Sequence, residues 1–221
     1  MITKPALSKD KIIVKAIAIA DKDGINALSM RKLAAKLHVQ AMSLYYHFKT
    51  KDELISHMAD KLVTQIDFRE SDSTANDWRT IMLTRATSAM ALFQKHAWLP
   101  FVLDTQIHSG VKRLEYLNNY LGILRKAGFP IVLALRVTAL IDGYIYGYCR
   151  QLTHVSDSDK SSAELAQDFS KGFDANQFPY LSEATKLVME QGYDTNADFL
   201  YGLNVILNGI SLELESLQSN T

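Results

Sequence analysis

The chain has 221 residues, 48% of them hydrophobic, enough to bury a sizeable core in one large or two modest domains. Its single cysteine, Cys149, excludes an intrachain disulfide framework and reads as a small apolar residue in a buried helix. Formal net charge is zero, yet residues 1–66 hold 11 Lys and Arg against 6 Asp and Glu, a net +5 that residues 67–221 cancel; a basic N-terminal module on an acidic body fits a nucleic-acid-binding head.

Residues 1–7 read as a loose arm. Ser8 caps a helix in which Ile13, Ala16, Ile17 and Ala20 recur at helical spacing, and Gly24 ends it. Ser29 caps the next, with Met30, Leu33, Ala34 and Leu37 at i, i+3, i+4, i+7. His38 and Val39 make a tight turn into a helix over about residues 40–47 that points Leu44 and Phe48 inward. Gln40, Ala41, Ser43, Tyr45 and His47 then face outward. An exposed helix of small, polar and aromatic residues, set by a short turn against a buried partner, can enter a major groove, so the stretch reads as a helix-turn-helix. Arg31 and Lys32 occupy the first turn of its first helix, where cations oppose the macrodipole, a cost that a phosphate or base edge would offset. Thr50 and Glu53 form a capping box opening a helix to about residue 66, with Leu54, Met58 and Leu62 inward.

Residues 68–76 turn polar and read as a linker. Asn76 or Asp77 caps a long helix whose stripe is Trp78, Met82, Arg85, Ala89 and Phe93; Pro100 begins a short apolar turn over 101–103. Ser109 opens a helix with Leu114, Leu117, Leu121 and Leu124 inward, closed by Gly128. Pro130 sits in the first turn of the most apolar helix, residues 130–152, which is hydrophobic nearly all round and so expected to be buried on more than one side. Residues 153–179 are polar, with a short helix near 162–170. A helix around 181–190 ends at Gly192, and the last, over about 197–217, carries Phe199, Leu203, Ile206, Ile210, Leu214 and Leu217 as a seam for a partner helix. The chain is expected to be all-α, a three-helix helix-turn-helix head (1–66) on a larger helical body (67–221). No uninterrupted apolar run reaches the roughly 18–20 residues of a membrane span, and Lys15 breaks up any leader-like stretch, so a cytoplasmic protein is expected.

The S-M-R-K-L-A-A-K-L-x-V run at 29–39, the S-L-Y-Y-H-F run at 43–48 and the K-T-K-D-E-L run at 49–54 resemble the DNA-binding domain of the TetR (tetracycline-repressor) family of transcriptional regulators. Two positions depart from the family pattern. His38 stands where Gly is usual at a helix end that needs a left-handed residue, and Met42 stands where Pro, Ser or Gly is more common. The end of the chain, F-L-Y-G-L-x-x-I-L-x-G-I at 199–210, resembles the last helix of the family's regulatory domains less specifically.

The resemblance implies a homodimeric regulator, most simply a repressor released from a palindromic DNA operator by a small-molecule effector. The alternative is a body that binds a protein partner instead, which would have no interior cavity. At the DNA, Arg31 is expected on a base edge, with Gln40, Ala41, Met42 and Ser43 at the bases and Tyr45, His47 and Lys51 on phosphates. Tyr46 is expected to pack. Gly143 and Gly147 let another helix approach closely, and the resemblance puts a dimer interface there. Arg85 interrupts an apolar stripe as Asp142 interrupts the run 137–146, and two readings stand: the two pair as a buried salt bridge, or Arg85 lines a ligand cavity with Phe93, Leu117, Tyr120, Leu135 and Thr138. Leu103 lies near where the tetracycline sensor has a metal-linked His, so a tetracycline–Mg²⁺ ligand is not expected. No phosphate-binding loop, G-x-S-x-G or H-E-x-x-H is present, so no catalytic residue, metal site or cofactor is assigned.

Overall fold

A computed structural model describes residues 7–67, 77–105, 110–156 and 160–219. The expected arm, the 68–76 linker with Asn76, and Ser109 with its capping role lie outside the described residues. Eleven α-helices and one 3-10 turn make up the described structure, with no strand among the described residues. The fold is all-α, as the periodicities require.

The chain forms two compact units, residues 1–149 and 150–221. The first begins with α1 (Lys9–Asp23), whose N-terminus is capped by Ser8 Oγ accepting from Lys11 N at 3.3 Å. Gly24 ends it at φ 80°, a conformation that a side chain would resist. After a 3-10 turn at Ile25–Ala27 comes α2 (Met30–Leu37), where Ser29 Oγ accepts from Lys32 N. His38 then takes φ 56° and ψ 44°, the only non-glycine residue with positive φ among the described residues. The His38 N–H reaches Ala35 O at 3.2 Å and the Val39 N–H reaches Ala34 O at 3.1 Å, the paired bonds of a left-handed helix stop. Histidine thus does here what glycine does more cheaply.

The second helix of the motif, α3, is shorter than expected, Ala41–Tyr45, with Gln40 as an N-cap that makes no side-chain bond. Leu44 and Phe48 are fully buried and fix its inward face; with Leu33 they form the apolar contact that holds the motif together. In α4 (Lys51–Val63) the expected capping box is only half built. Thr50 Oγ1 accepts from Glu53 N at 3.0 Å, but the Glu53 carboxylate accepts from Lys49 N at 2.6 Å rather than from Thr50.

Next come α5 (Trp78–Lys95), capped by Asp77, α6 (Leu99–Thr105), α7 (Val111–Lys126) and α8 (Ile131–Ser156). The stretch after Pro100, expected as a turn, is helical, because proline inside a first turn leaves no donor wanting. On α7 Leu124 is buried as expected and Leu117 and Leu121 are half-buried, but Leu114 is 56% exposed and the other buried residues are Arg113 and Tyr120. The inward face is thus shifted by one residue at Arg113 and Tyr120 and coincides with the expected stripe at Leu124. Gly110, before α7, sits against α4 so closely that a Cβ there would come within 1.7 Å of Asp60 Oδ2.

α8 buries one stripe, Leu133, Ala134, Val137, Ile141, Ile145 and Cys149, while Ile131, Val132, Leu135 and Leu140 are exposed. It is therefore covered on one side only within the single chain, contrary to the all-round burial expected. Averaged over Ile131–Leu152 it is also long and apolar enough to cross a membrane by length and composition, although no uninterrupted run is. The difference comes from charges, Asp142 among them, that interrupt the run without outweighing its average.

The second unit contains α9 (Ser162–Ser170), α10 (Pro179–Gln191) and α11 (Thr195–Ser219). Ser161 and Glu164 cap α9 reciprocally, and α9 packs on α10. On α11, Phe199, Leu203, Leu207, Ile210 and Leu214 are buried within the chain. Leu207 takes the place expected for Ile206, and Leu217 is exposed. The expected seam is thus already occupied, and a different stripe, Tyr201, Val205 and Leu212, remains exposed.

The left-handed stop at His38 gives the first test. A β-branched residue there meets the left-handed penalty of about 1–2 kcal/mol, so His38→Val is expected to lose about that much in urea denaturation, whereas His38→Gly keeps or gains stability.

Candidate functional site

The surface of the helix-turn-helix is set by what its core excludes. With Leu44 and Phe48 inward, Met42 and Tyr45 are exposed, and Ala41, Ser43 and His47 are half-buried at the edge of the same surface. Gln40 and Arg31 are exposed beside them, and Lys51 is half-buried in the first turn of α4. All eight residues expected at DNA therefore have at least partial access to solvent within the head. Tyr46 departs from expectation: it is 87% exposed and does not pack. Successive helical residues are about 100° apart, so with Leu44 fixed inward both Tyr45 and Tyr46 fall off the core face. The spacing itself carried that signal.

The cations at the start of α2 divide. Lys32 Nζ lies 2.9 Å from Asp23 Oδ2, and the hydrogen bond from Lys32 holds the Asp23 carboxyl below its ordinary value. Arg31 has no ion pair among the described residues. Thus Asp23 compensates one charge at the helix N-terminus and leaves the other for a partner. Lys9 Nζ lies 5.5 Å from the centre of the Phe48 ring, tying α1 to the end of the motif.

In the body, Arg85 is 2% exposed and its Nη2 lies 2.5 Å from Asp142 Oδ1. Its guanidinium carbon lies 4.0 Å from the centre of the Tyr120 ring and 5.4 Å from that of Tyr116. Burial works against the Arg85 charge, but Tyr120, Asp142 and Tyr116 more than offset it and raise its pKa. Burial pushes the Asp142 carboxyl up, and Arg85 pulls it back. The salt-bridge arrangement is the one found.

Beside this pair lies a cavity of about 40 Å³, lined among others by Val63 and Ile66 after α4's core, Phe93, Arg113, Leu117 and Asp142. Of the six residues expected at a ligand, Phe93 and Leu117 line it. Arg85 and Tyr120 stand behind Asp142 and do not. Leu135 and Thr138 do not line it either: Leu135 is 53% exposed, and the Thr138 hydroxyl donates to Ala134 O on its own helix. Both precede Asp142 on α8 by one or two turns, and the cavity lies at the level of Asp142 and Tyr146. Sequence reasoning missed Arg113, a buried cation at the start of α7, because a leucine stripe beside it looked like the core.

A second polar cluster also went unforeseen. Asp21 Oδ1, on α1, accepts from Trp98 Nε1 at 2.7 Å and lies 2.8 Å from His96 Nδ1, tying the head to the turn between α5 and α6. No group of three or more metal-ligating side chains occurs among the described residues.

The Arg85–Asp142 pair predicts a specific stability pattern. Removing one partner of a buried pair costs about 3–5 kcal/mol, whereas replacing both by apolar residues is often neutral. Arg85→Met is therefore expected to lower the melting temperature sharply, and Arg85→Met with Asp142→Leu to recover most of the loss.

Residues 70–214 match the family described as tetracyclin repressor-like, C-terminal domain, and residues 12–58 match bacterial regulatory proteins, tetR family. The chain is 26% identical over 217 residues to the HTH-type transcriptional repressor DrrR1 of Streptomyces coeruleorubidus, covering 95% of this chain and 79% of that protein. It is 26% identical over 210 residues to the tetracycline repressor protein class A from transposon 1721 of Escherichia coli, covering 93% and 91%. Among solved structures, the TetR family protein ActR from Streptomyces coelicolor in complex with actinorhodin superposes with a TM-score of 0.76 at 25% identity, covering 95% of this chain and 99% of that one. With both its helix-turn-helix and its C-terminal domain matched, the chain belongs to the tetR family of bacterial regulatory proteins.

Proposed function

We propose that this protein is a cytoplasmic repressor that binds a palindromic DNA operator as a homodimer and is released by a small-molecule effector. The observation that carries the reading is the helix-turn-helix surface, where a fully buried Leu33–Leu44–Phe48 core leaves Arg31, Gln40, Met42 and Tyr45 exposed. Repression is supported by relatives such as DrrR1, and effector release by the complex of ActR with actinorhodin. In this reading residues 1–66 are the reader and 67–221 the sensor. Arg31 reads a base edge, with Gln40, Ala41, Met42 and Ser43 at the bases; Tyr45, His47 and Lys51, joined by Tyr46, hold the backbone.

Two exposed apolar stripes support the dimer. On α8 it is Val132 and Leu140, continued by Gly143 and Gly147 with open space around each Cβ position; on α11 it is Tyr201, Val205 and Leu212. Each pairs with its symmetry mate in an isologous contact. The signal from the body reaches DNA through α4, since Val63 and Ile66, at and just beyond its end, wall the cavity. An effector that changes that wall shifts the spacing of the two heads, and DNA must then weaken the effector's binding in return.

A second reading, a protein partner in place of a small ligand, is favoured by one observation. The cavity of about 40 Å³ holds one functional group, not a whole molecule, unless its walls part.

The operator can be selected from a random DNA pool with the purified chain. On it, Arg31→Ala is expected to cost about 1–3 kcal/mol and relax specificity at one position of each half-site, and Lys51→Ala to flatten the salt dependence by about one unit of slope. Selection that enriches no inverted repeat, or wild-type affinity for both variants, would remove the reading. Light scattering tests the dimer separately: Gly143→Leu and Leu212→Asp should shift it toward monomer and weaken operator binding together.

A further inference from the structure

Arg113 is the buried charge that the rest of the core does not use. It is 8% exposed, on the first turn of α7. Its Nη2 donates to the Leu103 carbonyl at 3.0 Å, while Nη1 is buried with no hydrogen-bond partner. No carboxylate lies within ion-pair distance of it among the described residues. A guanidinium N–H taken out of water and left open is costly, so a partner of suitable chemistry gains what the protein alone does not supply.

The same side chain lines the cavity of about 40 Å³. The one anion in that wall, Asp142, is already bound to Arg85. Around Arg113 the lining is aromatic and aliphatic: Phe93, Tyr116 and Tyr146, with Leu103 and Leu117. Burial raises the Tyr116 hydroxyl to about 12 and pushes Tyr146 up as well, so both phenols keep their protons at neutral pH and remain able to donate.

We propose that Arg113 anchors a carboxylate group of the effector in this cavity, and that the effector is an aromatic acid. The volume suits one carboxylate, which accepts from Nη1 and from a phenol in a charge-assisted contact. The aromatic remainder lies against Phe93 and Tyr146 and parts the aliphatic ends of Leu103 and Leu117. A neutral or cationic analogue leaves the guanidinium uncompensated and is rejected on that ground. The physiological meaning of the site rests on the effector-release reading above; its binding chemistry does not.

The test compares 2-naphthoate with its neutral isostere 2-naphthamide, at equal sodium concentration, by calorimetry and thermal melting of the full chain. The acid is expected to bind about ten- to hundredfold more tightly than the amide, the range of a hydrogen bond to a charged group. Arg113→Met should abolish that preference while keeping the fold, since it gives up one bond to a backbone carbonyl. Equal binding of acid and amide to wild type, no binding of either up to millimolar concentrations, or undiminished acid binding to Arg113→Met would each overturn the proposal. Should Arg113→Met not fold, the acid–amide comparison on wild type decides alone. Operator release separates the two levels. Acid that binds through Arg113 but leaves the operator complex intact removes the effector reading and keeps this one; release by the amide as readily as by the acid does the reverse.

Discussion

A buried guanidinium, held by a carboxylate on one side and an aromatic face on the other, fixes the register of three helices at once. Arg85 comes from α5, Asp142 from α8, and Tyr120 with Tyr116 from α7. Apolar packing tolerates sliding by a fraction of a side chain. A charge pair in a low-dielectric interior does not, because a small separation leaves both partners desolvated and poorly matched. The position of the neighbouring cavity follows from this, for Asp142 belongs to both the pair and the cavity wall.

That core meets the DNA-binding head through both polar and apolar contacts. Asp60 of α4 presses against Gly110, Asp21 of α1 gathers His96 and Trp98, and Val63 and Ile66 share a cavity wall with Phe93, Leu103 and Leu117. The polar contacts among them are directional, so a change of arrangement must break them rather than slide past them. Buried polar atoms with no hydrogen-bond partner occur at both Asp60 and Arg113, on the contacting helices α4 and α7.

Much of this was legible in the residues. The helices of the head followed from apolar spacing, with caps at α1, α2 and α4, and the left-handed turn at His38 followed from the family pattern, which has Gly there. The Arg85–Asp142 pair was readable because each charge interrupts an otherwise apolar stripe. What stayed hidden had a common cause. Arg113 lies one residue from Leu114, so hydrophobic spacing chose the leucine at the start of α7, where the arginine is the buried residue. Asp21 is far in sequence from His96 and Trp98, and no local pattern reports a hydrogen bond across such a separation. Leu135 lies with Ile131, Val132 and Leu140 among the exposed apolar residues of α8, and apolar composition alone does not tell which side of such a helix the chain covers. The cavity is smaller than an aromatic-lined pocket reading implies, because the aromatic rings fill the space themselves.

The chain contains two tryptophans, neither of them in residues 1–66. Trp78 stacks edge-on against Phe129 with ring centres 5.0 Å apart, inside the body. Trp98 is 5% exposed, and its indole N–H ends on a carboxylate of α1. Indole emission responds to a nearby charge and to hydrogen bonding at nitrogen, so the native fluorescence spectrum contains an optical gauge of the junction between head and body. Trp78, inside the body, emits in the same spectrum, so a change at the junction can be read without attaching a label.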